Sequence, residues 1–268
     1  MSLTFVIPVR HHESVPDWAD VQRRLAMTAA SVAGQVGGTW KCVVVANRDT
    51  PLPPLPDGFE VVLVDLPLRI LPGWDGGAGE QARNDAVRED KGARVLAGIV
   101  AARPTGHVMV LDYDDFVSRR LVQLTESAPD APGWVVDSGF VYDEGPLLYL
   151  KRRGFNDLCG SSLVVHSRLL GLEAGLETDA GHVARTLGSH VYLAKDLATS
   201  GTPLARCPFP GAVYRVAVSG SVSGSAGVRR KFFRRRLLVE HPVTFVRRLG
   251  NLVPTRWRRT EFALPTAG

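Results

Sequence analysis

The stretch Val108-Met109-Val110-Leu111-Asp112-Tyr113-Asp114-Asp115 places three carboxylates directly after a short apolar run. An apolar strand of this kind carries its following loop to one end of a sheet, so the acids emerge together. Carboxylates one residue apart in an extended loop both reach one divalent cation, directly or through water. Hard oxygen ligands of that sort, completed by phosphate oxygens, suit Mg²⁺ or Mn²⁺. The competing reading is an acidic turn in which Asp115 caps the next helix, where an aspartate and its charge are favoured.

The elements that must hold this loop alternate between strand and helix. Leu3–Arg10 is an apolar, β-branched run expected to be a buried parallel strand. Trp18–Val36 carries Val21, Leu25, Ala29 and Val32 at helical spacing and stops at Gly37-Gly38. Lys41–Ala46, Phe59–Leu66 and His107–Leu111 read as further strands, and Pro51–Pro56 between the first two is irregular. Glu80–Ala102 reads as a helix after the Gly-rich loop Leu71–Gly79. Farther on, Trp134–Val141 and Leu147–Lys151 read as strands and Gly160–Val165 as a buried turn or strand. Thr178–Leu187 and His190–Ser200 read as helices. This order predicts an α/β fold with a mixed, mostly parallel sheet flanked by helices. Such sheets bind ligands beyond the carboxyl ends of their strands, here the loops after Arg10, Ala46, Leu66 and Leu111.

Four segments follow one another along the chain: Ile7-Pro8-Val9, Val43–Asn47, Lys91-Gly92-Ala93-Arg94 and Leu111–Asp115. In these the chain resembles the GT-A glycosyltransferases, in particular the inverting family 2 group. Weaker similarity continues to about residue 224 through Cys159–Ser162 and Val213–Val216. The resemblance implies a GT-A-like, Rossmann-like fold and metal-dependent transfer of a sugar from a nucleotide-diphosphate donor to an acceptor hydroxyl, with inversion. It implies Mn²⁺ or Mg²⁺ at Asp112 and Asp114, and donor contacts from Pro8, Val9, Arg10, Asn47, Lys91, Arg94, Asp112 and Tyr113. The acceptor would be a saccharide or a lipid-linked group. Three departures stand out. Ala46-Asn47 replaces the family's base-binding Asp pair, which leaves an amide for that contact. Ser189-His190 occupies the place of the Glu-Asp pair that supplies the general base. Ala217 replaces a His that follows Tyr-Arg-Val.

Within that frame Arg10, Lys91 and Arg94 are candidates to neutralise a diphosphate, the arginines as forks and the lysine as a point charge. The alternative for the two helix residues is a solvated face, because Arg83, Arg88, Lys91 and Arg94 alternate with Glu80, Asp85, Glu89 and Asp90. His190 is the candidate general base, with a third metal ligand or an idle helix-start residue as alternatives. Asp157, Asp179 and His182 compete for the same role. His11-His12 follow the first strand without metal-ligand spacing. The loop Gly73–Gly77 with Trp74 reads as a mobile lid or an exposed turn.

Composition sets the outer bounds. The 268 residues are 45% hydrophobic and 22% charged, which excludes a disordered or collagen-like chain. Three dispersed cysteines, Cys42, Cys159 and Cys207, form no CxxC and fit a reducing compartment. The N-terminus shows no basic, cleavable apolar stretch, so a cytoplasmic protein is expected. Residues 1–227 hold 21 Lys/Arg against 25 Asp/Glu, whereas 228–260 hold 11 against 1. The expected organisation is a body, 1–227, and a basic amphipathic helical extension, 228–268, joined at the Ser/Gly-rich Ser219–Gly227. That extension interleaves cations with apolar groups and is expected either to lie on the inner face of a membrane or to pack on the body. No nucleic-acid module accompanies it. Two other functions remain in view: a nucleotidyltransferase, against which the absence of glycine in Arg10-His11-His12-Glu13 counts, and a catalytically impaired glycosyltransferase-like binding protein.

Overall fold

The computed structural model describes residues 2–70, 79–172, 179–216, 233 and 240–265. The Trp74 loop, the Ser219–Gly227 junction, Ala217 and the basic run Arg229–Leu238 (Phe233 apart) lie outside the described residues. The chain is α/β, with a seven-stranded mixed sheet and a second, five-stranded sheet. No helix among the described residues is long and apolar enough to cross a membrane.

Strands β1 (Leu3–Pro8), β2 (Trp40–Asn47), β3 (Phe59–Val64) and β4 (His107–Val110) form the parallel half of the large sheet, in the order β3-β2-β1-β4. Strand β9 (Leu163–His166) then pairs antiparallel with β4 and with β6 (Gly133–Val135), and β10 (Ala205–Arg206) closes the edge. Because side chains alternate across a strand, each strand of the centre feeds two cores. Leu3, Phe5 and Ile7 of β1 join Cys42 and Val44 of β2 and Met109 of β4 on one face, against Val21, Leu25 and Val32 of α1 (Trp18–Ala33). Val6, Val43, Val45 and Val108 point the other way, onto Val95 and Ile99 of α2 (Glu80–Ala102). A Cβ at Gly98 would stand 2.7 Å from Val6 and 2.8 Å from Val45. The glycine therefore lets α2 lie flat on the sheet.

Trp134–Val141, expected as one strand, divides into β6 and β7 (Gly139–Tyr142), which belong to different sheets. The break comes at Asp137. Its carboxylate accepts from the Gly154 amide at 2.6 Å and its carbonyl from the Phe155 amide at 3.1 Å, which turns the chain out of the ladder. The second sheet runs β12-β8-β7-β11-β5, formed by β12 (Leu252–Pro254), β8 (Leu147–Lys151), β7, β11 (Ala212–Arg215) and β5 (Phe116–Val117). Shorter helices complete the layers: α3 (Leu121–Ser127), α4 (Ala180–Thr186), α5 (His190–Thr199), α6 (Pro242–Leu249) and α7 (Arg259–Phe262).

The extension expected over 228–268 is corrected by this packing. Its β12 pairs antiparallel with β8, setting Leu252 opposite Tyr149. Phe262 and Leu264 are buried in the core of the second sheet. The Glu261 carboxylate accepts from Ser118 Oγ at 2.5 Å and Arg120 Nε at 2.8 Å. Residues 252–264 are thus a layer of the body, and among the described residues of this segment α6 keeps the exposed helical character expected of an appendage. Phe262 is 1% exposed and meets Phe140 edge-on at 5.6 Å. Phe262→Ala should cost about 3–5 kcal/mol of stability. Urea unfolding of the variant at wild-type midpoint would instead make the segment peripheral.

Candidate functional site

A cleft of about 420 Å³ opens beyond the carboxyl ends of β1 and β4, within the range of small-molecule sites. Pro8 and Arg10 line it from β1, Asp112, Tyr113 and Asp114 from the loop after β4, and Lys91 from α2. Ser189 and His190 enter at the start of α5, and Tyr214 and Arg215 from β11. Residues spread over most of the chain thus meet in one place.

The acidic loop is fixed from beneath. Thr28 Oγ1 on α1 donates to the carbonyls of Tyr113 and Asp115, at 2.8 and 2.7 Å. Asp115 is 1% exposed and accepts from Ser161 Oγ at 2.7 Å, Cys159 Sγ at 3.2 Å and the Arg215 amide at 3.2 Å. It is therefore neither a helix cap nor a ligand facing the cleft: the next helix, α3, starts after Arg120 with no side-chain cap. Burial, and then the charges of Asp114 and Asp112, push its carboxyl well above the usual range.

Asp112 and Asp114 do face the cleft. Lys91 Nζ donates to Asp112 Oδ1 at 2.5 Å. Burial pulls the Lys91 ammonium down, but Asp112's charge and hydrogen bond outweigh it, and the net shift is upward. A Cβ at Gly160 would collide with the Asp112 carboxylate and stand 3.1 Å from Lys91 Nζ, so any side chain there would displace the pair. Asp114 is pushed up to about 6, first by burial and then by the charge of Asp112, against the pull of Arg215 and Arg24. Among the described residues no three His, Cys, Asp or Glu side chains gather as a metal cage. The donor set at this loop is two carboxylates.

Several expected contacts are corrected. Val9 is fully buried in the core beside Val44 and Ala46, and only its neighbours Pro8 and Arg10 reach the cleft. Asn47 is 6% exposed with both ends of its amide in use: Nδ2 donates to the Leu66 carbonyl and Oδ1 accepts from Arg94, each at 2.7 Å. Both ends of the amide are engaged within the fold. Arg94 borders the cleft but is 1% exposed, and it forks onto Asp90 at 2.8 and 2.9 Å as well as onto Asn47. Its three nitrogens stitch α2 to β2. Asp157 is exposed and does not line the cleft, unlike the adjacent Leu158. Asp179 caps α4 by accepting from the Gly181 and His182 amides, and neither it nor His182 lines the cleft. His11 and His12 stack on each other at 4.9 Å and do not line the cleft.

Arg10 does reach the cleft, held by its Nε bond to Ser14 Oγ at 2.7 Å. It lies beside Tyr113, whose phenol is pushed up to about 12 by burial and then by Asp114, against the opposing effect of Arg10. His190 is the first residue of α5, and its buried Nε2 has no hydrogen-bond partner. Burial, then the nearby Lys91 charge, lowers its pKa and keeps the imidazole neutral at pH 7. Arg215, Tyr214, Arg88 and Asn84 line the cleft without having been given roles from sequence. The Arg215 guanidinium lies over the Phe116 ring at 4.6 Å, and Arg88 lies over Tyr192 at 5.6 Å. Tyr214-Arg215 was visible as a motif, but nothing in its spacing said which cavity it would face.

A buried ion pair broken on one side leaves an uncompensated charge, so Arg94→Ala should cost about 3 kcal/mol or more of stability. Thermal melting checks this. An equally stable variant that had lost nucleotide affinity would return Arg94 to the ligand. No family model matches this chain, and no curated protein matches it either.

Proposed function

We propose that the protein is a GT-A-type glycosyltransferase that moves a sugar from a nucleotide-diphosphate donor to an acceptor hydroxyl with inversion. One observation carries this reading. Asp112, Asp114, Lys91, Arg10 and His190 converge on one cleft at the strand ends, where open α/β sheets bind ligands. Together they offer cations for a diphosphate, hard oxygens for a divalent ion, and a neutral imidazole for a proton.

Asp112 and Asp114 fit a Mg²⁺ or Mn²⁺ shared with donor phosphates, since such ions take one or two protein carboxylates and complete their shell with phosphate and water. When bound, the ion screens the charge of the leaving diphosphate. Arg10 and Lys91 add fixed positive charge where that negative charge builds. The His190 imidazole, which lines the cleft, accepts the proton of the acceptor hydroxyl. The acceptor oxygen forms its bond to the anomeric carbon as the bond to the diphosphate breaks on the opposite face. Donor charge ends on the diphosphate and the proton on the imidazole. The 2.5 Å Lys91–Asp112 pair also supports a second reading, in which lysine neutralises the donor without a metal.

Two predictions separate these roles. Asp114→Ala should abolish Mn²⁺-dependent donor binding, measured calorimetrically across UDP-, GDP- and TDP-sugars. Wild-type binding that survives a chelator would favour the lysine reading, and turnover with none of the donors would overturn the proposal. His190→Ala should lower kcat by roughly 10²–10⁴ with donor affinity nearly unchanged. A base must be neutral, and burial lowers the His190 pKa from its ordinary value, so kcat should hold through neutral pH and fall only once the pH drops through that lowered pKa. Protonation of Asp114, near 6, would instead weaken donor binding. A His190→Ala variant with wild-type kcat would remove the base assignment.

A further inference from the structure

The apolar arc of α6 is left open to solvent rather than buried against a core. At about 100° per residue, Val243, Phe245, Val246 and Leu249 share one arc of α6, and Thr244, Arg247 and Arg248 the other. A surface helix normally turns its apolar arc inward. Here only Phe245, at one margin of the arc, does so: its ring meets Phe233 at 5.7 Å, and Phe233 meets Tyr149 of β8 at 6.0 Å. Val243 is 70%, Val246 65% and Leu249 46% exposed.

The chain is anchored where α6 ends. Directly after α6 the Asn251 carbonyl accepts from the Leu150 amide at 2.9 Å, its side chain accepts from Arg152 at 3.1 Å, and β12 enters the second sheet. That three-residue strand, about 10 Å long, leads to Trp257, which is 67% exposed beside Arg256.

Charge decides what covers this face. Residues 228–260 carry 11 cationic side chains against 1 acidic one, and Arg247 and Arg248 lie in the last turn of α6. A second copy would bring the same positive segment against itself. An anionic bilayer takes both features at once: the apolar arc enters the headgroup boundary while the arginines meet lipid phosphates. We propose that α6, with Trp257, docks the chain on an anionic lipid surface. The proposal does not depend on the chemistry of the cleft.

Sedimentation of the full chain with vesicles tests it, using phosphatidylcholine alone and a two-to-one mixture with phosphatidylglycerol. The wild type should pellet with the mixed vesicles, weakly with the neutral ones, and less as salt is raised. The Val243→Glu/Val246→Glu pair should lower partitioning at least tenfold with melting temperature and donor binding unchanged, since both side chains are exposed. Failure to pellet with mixed vesicles would overturn the proposal. Equal binding of the double variant would also overturn it, because the basic run would then act without α6. So would a lipid-independent dimer that the double variant abolishes.

Discussion

Beneath the cleft, one buried carboxylate ties the two sheets together. Asp115 leaves the large sheet after β4, takes hydrogen bonds from Ser161 and Cys159 ahead of β9, and takes another from the Arg215 amide of β11 in the second sheet. A carboxylate is costly to bury unless its oxygens are satisfied. Three donors from two other segments meet that demand, and leaving such a buried group unsatisfied costs about 1–3 kcal/mol. The cost of leaving any of them unmade keeps the loop, the Cys159–Ser162 turn and β11 in one arrangement. Asp112 and Asp114 can face the cleft because Asp115 faces away.

Electrostatics then sorts the charged groups by whether they already have a partner. Arg94 is buried against Asp90 and Asn47 and serves the fold. Lys91, three residues earlier on the same helix, reaches Asp112 across the cleft wall, where Gly160 leaves space. Asp114 has burial and Asp112 raising its pKa, and Arg215 and Arg24 lowering it. Such a carboxylate is easily shifted by a cation or an anion arriving next to it. Functional sites concentrate groups in this state.

The C-terminal segment shows the same dependence on distant partners. Its one acid after residue 240, Glu261, receives Ser118 and Arg120 from the loop that follows β5. Phe262 follows it into the core. The dense positive charge around these residues marks a region apart in composition, yet a strand of three residues and one aromatic ring make it continuous with the body.

Local pattern was enough for much of the fold. Apolar runs marked β1, β2 and β4, helical spacing marked α1 and α2, and the Asp triplet after β4 marked the end of the sheet where the cleft lies. Those features depend on residues near one another in the chain, through side-chain period and solvent exclusion. Tertiary structure alone decided which polar groups remained available. Arg94 and Asn47 look free in sequence because their partnership spans 47 positions, and Arg215 looked like a landmark because its cavity is built by other strands. Asp115 is chemically identical to Asp114 and adjacent to it, yet the alternation of the chain and the donors of two remote segments turn one inward and leave the other at the cleft. Desolvation and hydrogen-bond satisfaction are set by neighbours in space, so they are decided only when the chain has folded.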